Sequence, residues 1–147
     1  MVRIDAKIEI ALPPEKVWSR IWLSDVEKLP KWRPLVKKVT TTSKRRKGVG
    51  VTWREIHEIE GHRLVGEREC IEWMENKIFA WRSTSGLTVI GSWTLKPTER
   101  GTEITVMMDL GFPQKIGGKA INQEETGARI RVGLTKDLEF MKKILEK

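Results

Sequence analysis

The sequence predicts an α+β fold: a seven-stranded curved antiparallel sheet, two short helices near the N-terminus, and a long C-terminal helix held against the sheet. Three observations carry this. Seven segments between Val2 and Leu110 alternate apolar with polar residues or are rich in β-branched ones. Short turn signals join most of them, which makes neighbouring strands antiparallel. Beyond Pro113 the period changes, and Ile130, Leu134, Leu138, Met141 and Leu145 recur every three or four residues, as on one helix face. The 147 residues fit one domain spanning 1–147.

In chain order, Val2, Ile4, Ala6, Ile8 and Ile10 share one face of a strand, and Arg3, Asp5, Lys7 and Glu9 the other. Pro13 and Pro14 end it, and Pro14 suits a first helical turn, where a missing N–H costs no bond. Val17, Trp18 and Ile21 form the buried stripe of that short helix. Ser24 and Asp25 are positioned to cap a second one through Leu29, and Pro30 and Pro34 are expected to break helical structure. Strands are then predicted over Leu35 to Thr42, Val49 to Glu58, Arg63 to Met74, Lys77 to Ser83, Leu87 to Lys96 and Thr102 to Leu110. Gly48 and Gly50 mark a loop, and turns are expected at Gly61-His62, Glu75-Asn76, Ser85-Gly86 and Glu99 to Gly101. Helical spacing runs from about Lys115 to Glu146. Glycine costs a helix roughly 1 kcal/mol against alanine, so Gly127 and Gly133 imply either a close backbone approach or a bend.

Composition narrows the functional classes. The net charge is +8. Much of the excess lies in Lys37 to Lys47, which holds Lys37, Lys38, Lys44, Arg45, Arg46 and Lys47 and no acid. The expected reading is a solvated loop, with no specific nucleic-acid partner. Lys44, Arg45, Arg46 and Lys47 offer at most weak contact with an acidic membrane surface. No signal peptide and no membrane-spanning run are apparent, and with one cysteine, Cys70, no intramolecular disulfide can form; a cytoplasmic location is expected. Seven tryptophans and no tyrosine are spread along the chain. Each supplies a large apolar body with one N–H donor, suited to a core or to a cavity wall.

The order of elements and several local segments resemble the START-like helix-grip superfamily, and within it the polyketide cyclase/dehydrase (SRPBCC) family. Ile8-Glu9-Ile10-Ala11-Leu12-Pro13-Pro14-Glu15-Lys16-Val17-Trp18 is similar to that family's opening. Leu29 to Val36 carries its P-x-W-x-P segment, and Gly91-Ser92-Trp93-Thr94-Leu95-Lys96-Pro97 with Gly101 to Val106 resembles its last hairpin. The resemblance covers essentially the whole chain. It implies a helix-grip domain and says little of activity, because the superfamily includes lipid carriers, cyclases, hydrolases and chaperone-binding modules.

A bent sheet covered by one amphipathic helix leaves a gap between them. The inward faces assigned to line it are Val51, Trp53, Phe79, Trp81, Val89, Trp93, Ile104, Val106, Met108 and Leu110, with Ile130 and Leu134 from the helix. Ligand pockets of this kind commonly measure roughly 300–1,000 Å³. Glu55 and His57 share the face of Val51 and Trp53 if their strand carries no bulge. They either converge on a ligand, with His57 able to work as acid or base, or sit at the strand end and meet water. His62 is expected at the surface, Cys70 as a small buried residue, and Arg82 pointing outward. Glu67, Arg68, Glu69 and Glu72 are expected to pair across strands at the surface. No metal-ligand spacing, phosphate loop or nucleotide fingerprint is present, so neither metal nor cofactor is expected.

The expected function is binding or transport of a small hydrophobic ligand: a lipid, isoprenoid, quinone or polyketide-like molecule. One alternative is a cyclase/dehydratase-type enzyme using Glu55 and His57; another is a protein- or membrane-interaction module. Monomer and homodimer are both compatible with the sequence.

Overall fold

A computed structural model describes residues 1–147. Val2–Ile10 forms β1, and Pro14–Arg20 forms α1 with Pro14 in its first turn and Val17 and Trp18 buried. Ile21 is extended and ends α1. Two 3₁₀ turns follow, Trp22–Ser24 and Val26–Lys28, the second capped by the Asp25 carboxylate accepting from Glu27 N–H at 3.0 Å. α2 is the single turn Leu29–Trp32. Pro30 therefore begins a helix, where the sequence suggested that it breaks one: it sits at a first-turn position that needs no N–H partner. The break comes at Arg33, whose φ of −130° and ψ of 89° lie outside the helical region that Pro34 disfavours for it.

The sheet comprises β1, β2 (Val36–Thr41), β3 (Thr52–Ile59), β4 (His62–Met74), β5 (Ile78–Ser85), β6 (Thr88–Pro97) and β7 (Thr102–Gly111), in the spatial order β1-β7-β6-β5-β4-β3-β2, antiparallel throughout. Register shifts in β2 between Val36 and Lys38, in β4 between Cys70 and Glu72, and in β5 between Ser83 and Ser85 bend the sheet. The β3–β4 turn is Glu60-Gly61, with φ of 52° and 78°, and His62 opens β4 where the sequence placed it in the turn. Glu60 carries no glycine's freedom, and α3 holds it: its carboxylate accepts from Arg129 Nε at 3.0 Å and Thr126 Oγ at 3.3 Å.

The C-terminal helix is shorter than its apolar period suggested. Lys115–Ile116 (β8) and Lys119–Ala120 (β9) form a small hairpin around Gly117 and Gly118, whose φ of 59° and 81° no helix accepts. α3 runs Gln123–Leu145, and the Asn122 side chain accepts from Glu125 N–H at 3.0 Å. Its Leu134, Leu138, Met141 and Leu145 are buried in one apolar cluster with the concave sheet face. Gly127 permits a close approach, since a Cβ there would lie 2.7 Å from Val2 Cγ1, whereas a Cβ at Gly133 meets nothing.

Both sheet edges are occupied by side chains. At β1, Lys142 Nζ donates to Glu9 O at 2.7 Å and Arg131 Nη2 to Arg3 O at 3.3 Å. At β2, Thr41 N–H donates to Glu27 Oε2 at 2.9 Å. These groups blunt strand pairing with another chain.

Candidate functional site

The concave face and α3 enclose a cavity of about 100 Å³, below the roughly 300–1,000 Å³ common among ligand pockets. Its wall contains seven of the residues assigned from sequence: Trp53, Trp81, Val89, Trp93, Met108, Leu110 and Ile130. Val51, Phe79, Ile104, Val106 and Leu134 are inward and buried, but they lie in packed core away from the wall. Part of this filling is Trp22, whose indole drops from the first 3₁₀ turn into the sheet's hollow. It meets Phe79, Trp81 and Trp93 edge-on, at centroid distances of 5.0, 5.9 and 5.3 Å. Trp22 also completes the wall, together with Leu29, Arg33, Leu35, Val36, Glu58, Ile59, Arg68 and Leu87. An outer groove of about 170 Å³ shares Leu35, Glu58, Ile59 and Ile130 with the cavity, so the mouth lies between α3 and the end of β3.

β3 alternates without a bulge, so Trp53, Glu55 and His57 all face inward. Trp53 Nε1 donates to Glu55 Oε1 at 3.2 Å. Glu55 Oε2 stands 3.5 Å from His57 Nδ1 and 4.0 Å from Arg68 Nη2. Neither is a well-formed hydrogen bond, and both His57 ring nitrogens are buried without one. Burial pushes the Glu55 carboxyl towards its neutral form. His57, the Arg68 charge and the Trp53 N–H together outweigh burial and hold it below the usual carboxylate range. Burial lowers Arg68 from its ordinary value, with Glu55 opposing. The guanidinium nonetheless keeps its charge.

Arg68 is the residue that the sequence reading misplaced. Alternating charges in β4 implied surface pairing, but Arg68 is 3% exposed and lines the cavity. β4 in fact alternates through this stretch: Gly66, Arg68 and Cys70 are buried on one face, and Arg68 lies opposite the inward Trp53. A signal was present in Gly66, a glycine in mid-strand, which marks a close approach. A Cβ at Gly66 would lie 3.0 Å from Arg68 Cζ and closer still to Nη1, so the missing side chain is the guanidinium's berth.

Elsewhere, Arg82 is exposed and pairs with Glu69 at 3.3 Å, and Glu67 pairs with Arg54 at 3.1 Å. Cys70 is buried, and burial raises its thiol to about 11, which keeps it unreactive. His62 is partly covered by Gly117, against which its ring packs. In the β2–β3 loop, Arg46 reaches Glu27 at 3.5 Å and Arg45 donates to Val49 O, while Lys44 and Lys47 are exposed. No cluster of three or more His, Cys, Asp or Glu side chains could hold a metal ion, and no helix is long and apolar enough to cross a membrane.

A bent antiparallel sheet closed by one C-terminal helix over an apolar cavity defines a helix-grip domain of the START type. The family model described as polyketide cyclase/dehydrase and lipid transport matches residues 1–146, and the chain belongs to that family. Among solved structures, a START superfamily protein from Mycobacterium smegmatis superposes with a TM-score of 0.76 at 19% identity, covering 98% of this chain and 97% of that one. The Zhui aromatase/cyclase from Streptomyces sp. R1128 gives 0.74 at 14% identity, covering 98% and 90%. A protein from Thermus thermophilus gives 0.72 at 20% identity, covering 99% and 94%. At these identities the likeness is one of fold. No curated protein matches the sequence.

Proposed function

We propose that this protein binds and carries a compact hydrophobic ligand in the cavity between its sheet and α3. The observation that carries this reading is an apolar, tryptophan-rich hollow with one polar cluster on its wall, Glu55, His57 and Arg68. Most of the wall offers dispersion contact and the cluster offers orientation, which is the usual division of labour in a ligand site. About 100 Å³ suits a ring-sized group, given that an engineered apolar cavity of about 150 Å³ accepts benzene. A longer lipid, isoprenoid or polyketide-like molecule would leave its tail in the outer groove. The cyclase alternative is less well supported, because an acid–base residue must reach its substrate. Both His57 nitrogens are walled off by protein atoms.

The test is mass spectrometry of a solvent extract of the purified protein, paired with Val89→Trp, which fills the cavity. A hydrophobic molecule present with the parent chain and absent with the variant is expected. Clean extracts from both, with no apolar probe quenching the fluorescence of the wall tryptophans, would overturn the proposal.

A further inference from the structure

We infer that the ligand is uncharged and carries a carbonyl oxygen, which Arg68 recognises. This rests on the carrier reading above and specifies the chemistry of the same site. Arg68 has five N–H donors. Nη1 donates to Glu67 O at 3.2 Å and Ser85 O at 3.4 Å. Nη2 stands 4.0 Å from Glu55, beyond hydrogen-bond reach, and Nε has no acceptor. Three donors thus go unused on a side chain that is 3% exposed and lines the cavity. Neither Nε nor Nη2 is among the fully enclosed nitrogens without a partner, so these donors face the cavity, where a ligand acceptor can take the place of water.

Charge decides which acceptor. Glu55 already balances Arg68 from within the same wall. A ligand carboxylate would set a second anion beside Glu55 in a site of low polarity, leaving net negative charge buried. A ketone, quinone, ester or amide oxygen fills the unused donors without that cost. Two glycines fix the guanidinium where it can do this. Gly66 leaves its berth open, and Gly86 lets the β5–β6 turn, which supplies Ser85 O, close on Gly66, since a Cβ there would lie 2.8 Å from Gly66 Cα.

Titration calorimetry of the full chain with cumene, acetophenone and benzoate, three aromatics of matched size, tests the inference. Acetophenone should bind about tenfold or more tightly than cumene, the effect of one hydrogen bond to a charged donor, and benzoate no more tightly than cumene. In the charge-balanced variant Glu55→Gln/Arg68→Met, the preference for acetophenone over cumene should vanish. Gly66→Ala should weaken acetophenone selectively. In the parent chain, the infrared carbonyl stretch of bound ¹³C-acetophenone should move to lower frequency, a readout independent of any variant's folding. Equal binding of acetophenone and cumene, tightest binding of benzoate, or an unshifted carbonyl stretch would each overturn the carbonyl assignment while leaving the carrier reading standing. If cumene itself fails to bind, the carrier reading falls, and this inference with it.

Discussion

Gly91→Ala probes the wall where the sheet backbone and the indoles come closest. Gly91 lies opposite Trp81 on one side and Met108 on the other. A Cβ there would stand 2.6 Å and 2.7 Å from the Trp81 ring carbons and 3.0 Å from Met108 Cγ. Comfortable carbon–carbon contact begins near 3.5 Å, so the rigid indole has to move by about 1 Å. Trp22 and Phe79 crowd it at 5.9 and 6.3 Å, which leaves the cavity as the free side. Overpacking of this kind costs about 1–3 kcal/mol, and replacing a strand glycine returns about 0.5–1 kcal/mol. The net loss is about 0–2.5 kcal/mol and centred near 1, or about 2–4 °C in melting temperature at that centre for a chain of this size. Calorimetric melting, with cumene affinity measured in parallel, checks both consequences: the variant should melt lower and bind less. An unchanged or higher melting temperature with undiminished binding would refute the packing argument, because Trp81 would then have room that the structure denies it.

Glu55→Gln should destabilise the protein at neutral pH by about 3 kcal/mol, since it leaves Arg68 buried without its counter-charge. The folded-state pKa of Glu55 is depressed, so the carboxylate's contribution is present above the ordinary carboxylate range and lost as pH falls through the folded value. The melting temperatures of parent and variant should therefore converge in acid, and a constant gap from pH 7 to pH 3 would contradict this. Gly133→Ala should raise stability by about 0.5–1 kcal/mol, because the added methyl meets nothing; Gly127→Ala should raise it less or lower it, because its methyl meets Val2, and denaturant titration compares the two. Leu134→Ala should cost about 2–5 kcal/mol by the same titration, the side chain being wholly buried under α3. Binding to phosphatidylserine vesicles through Lys44, Arg45, Arg46 and Lys47 should be weak and lost at physiological salt, as flotation would show; Glu27 already engages Arg46.

The sheet was legible because alternation writes itself into sequence. Trp53, Glu55 and His57 follow one another at every second residue of an unbulged strand, and all three face the cavity. Arg68 was missed because charge says nothing of which face of a strand a residue takes, although it alternates with the buried Gly66 and Cys70. The unshifted pairing of β3 with β4 sets Arg68 opposite Trp53 and Gly66 opposite Glu55, on the cavity face. The helix start was misjudged for a related reason: apolar spacing after Pro113 says nothing of backbone sign, and Gly117 and Gly118 take the left-handed region. The edge protection was hidden as well, since Glu27, Arg131 and Lys142 look like ordinary surface charges until the fold sets them against β2 and β1.

The largest gap between sequence and structure concerns volume, and Trp22 accounts for part of it. Strand periodicity assigns faces to the sheet and helical periodicity assigns a face to α3, so both walls of the hollow can be read in advance. The third wall comes from a 3₁₀ turn too short to have a period. Its indole nevertheless occupies the centre of the concave face, against Phe79, Trp81 and Trp93. One side chain outside any regular element thereby converts part of the expected pocket into core and leaves a remnant that includes the Arg68 wall. The room left under α3 in this chain therefore depends on what the segment between α1 and α2 drops into the sheet, as well as on the sheet's bend.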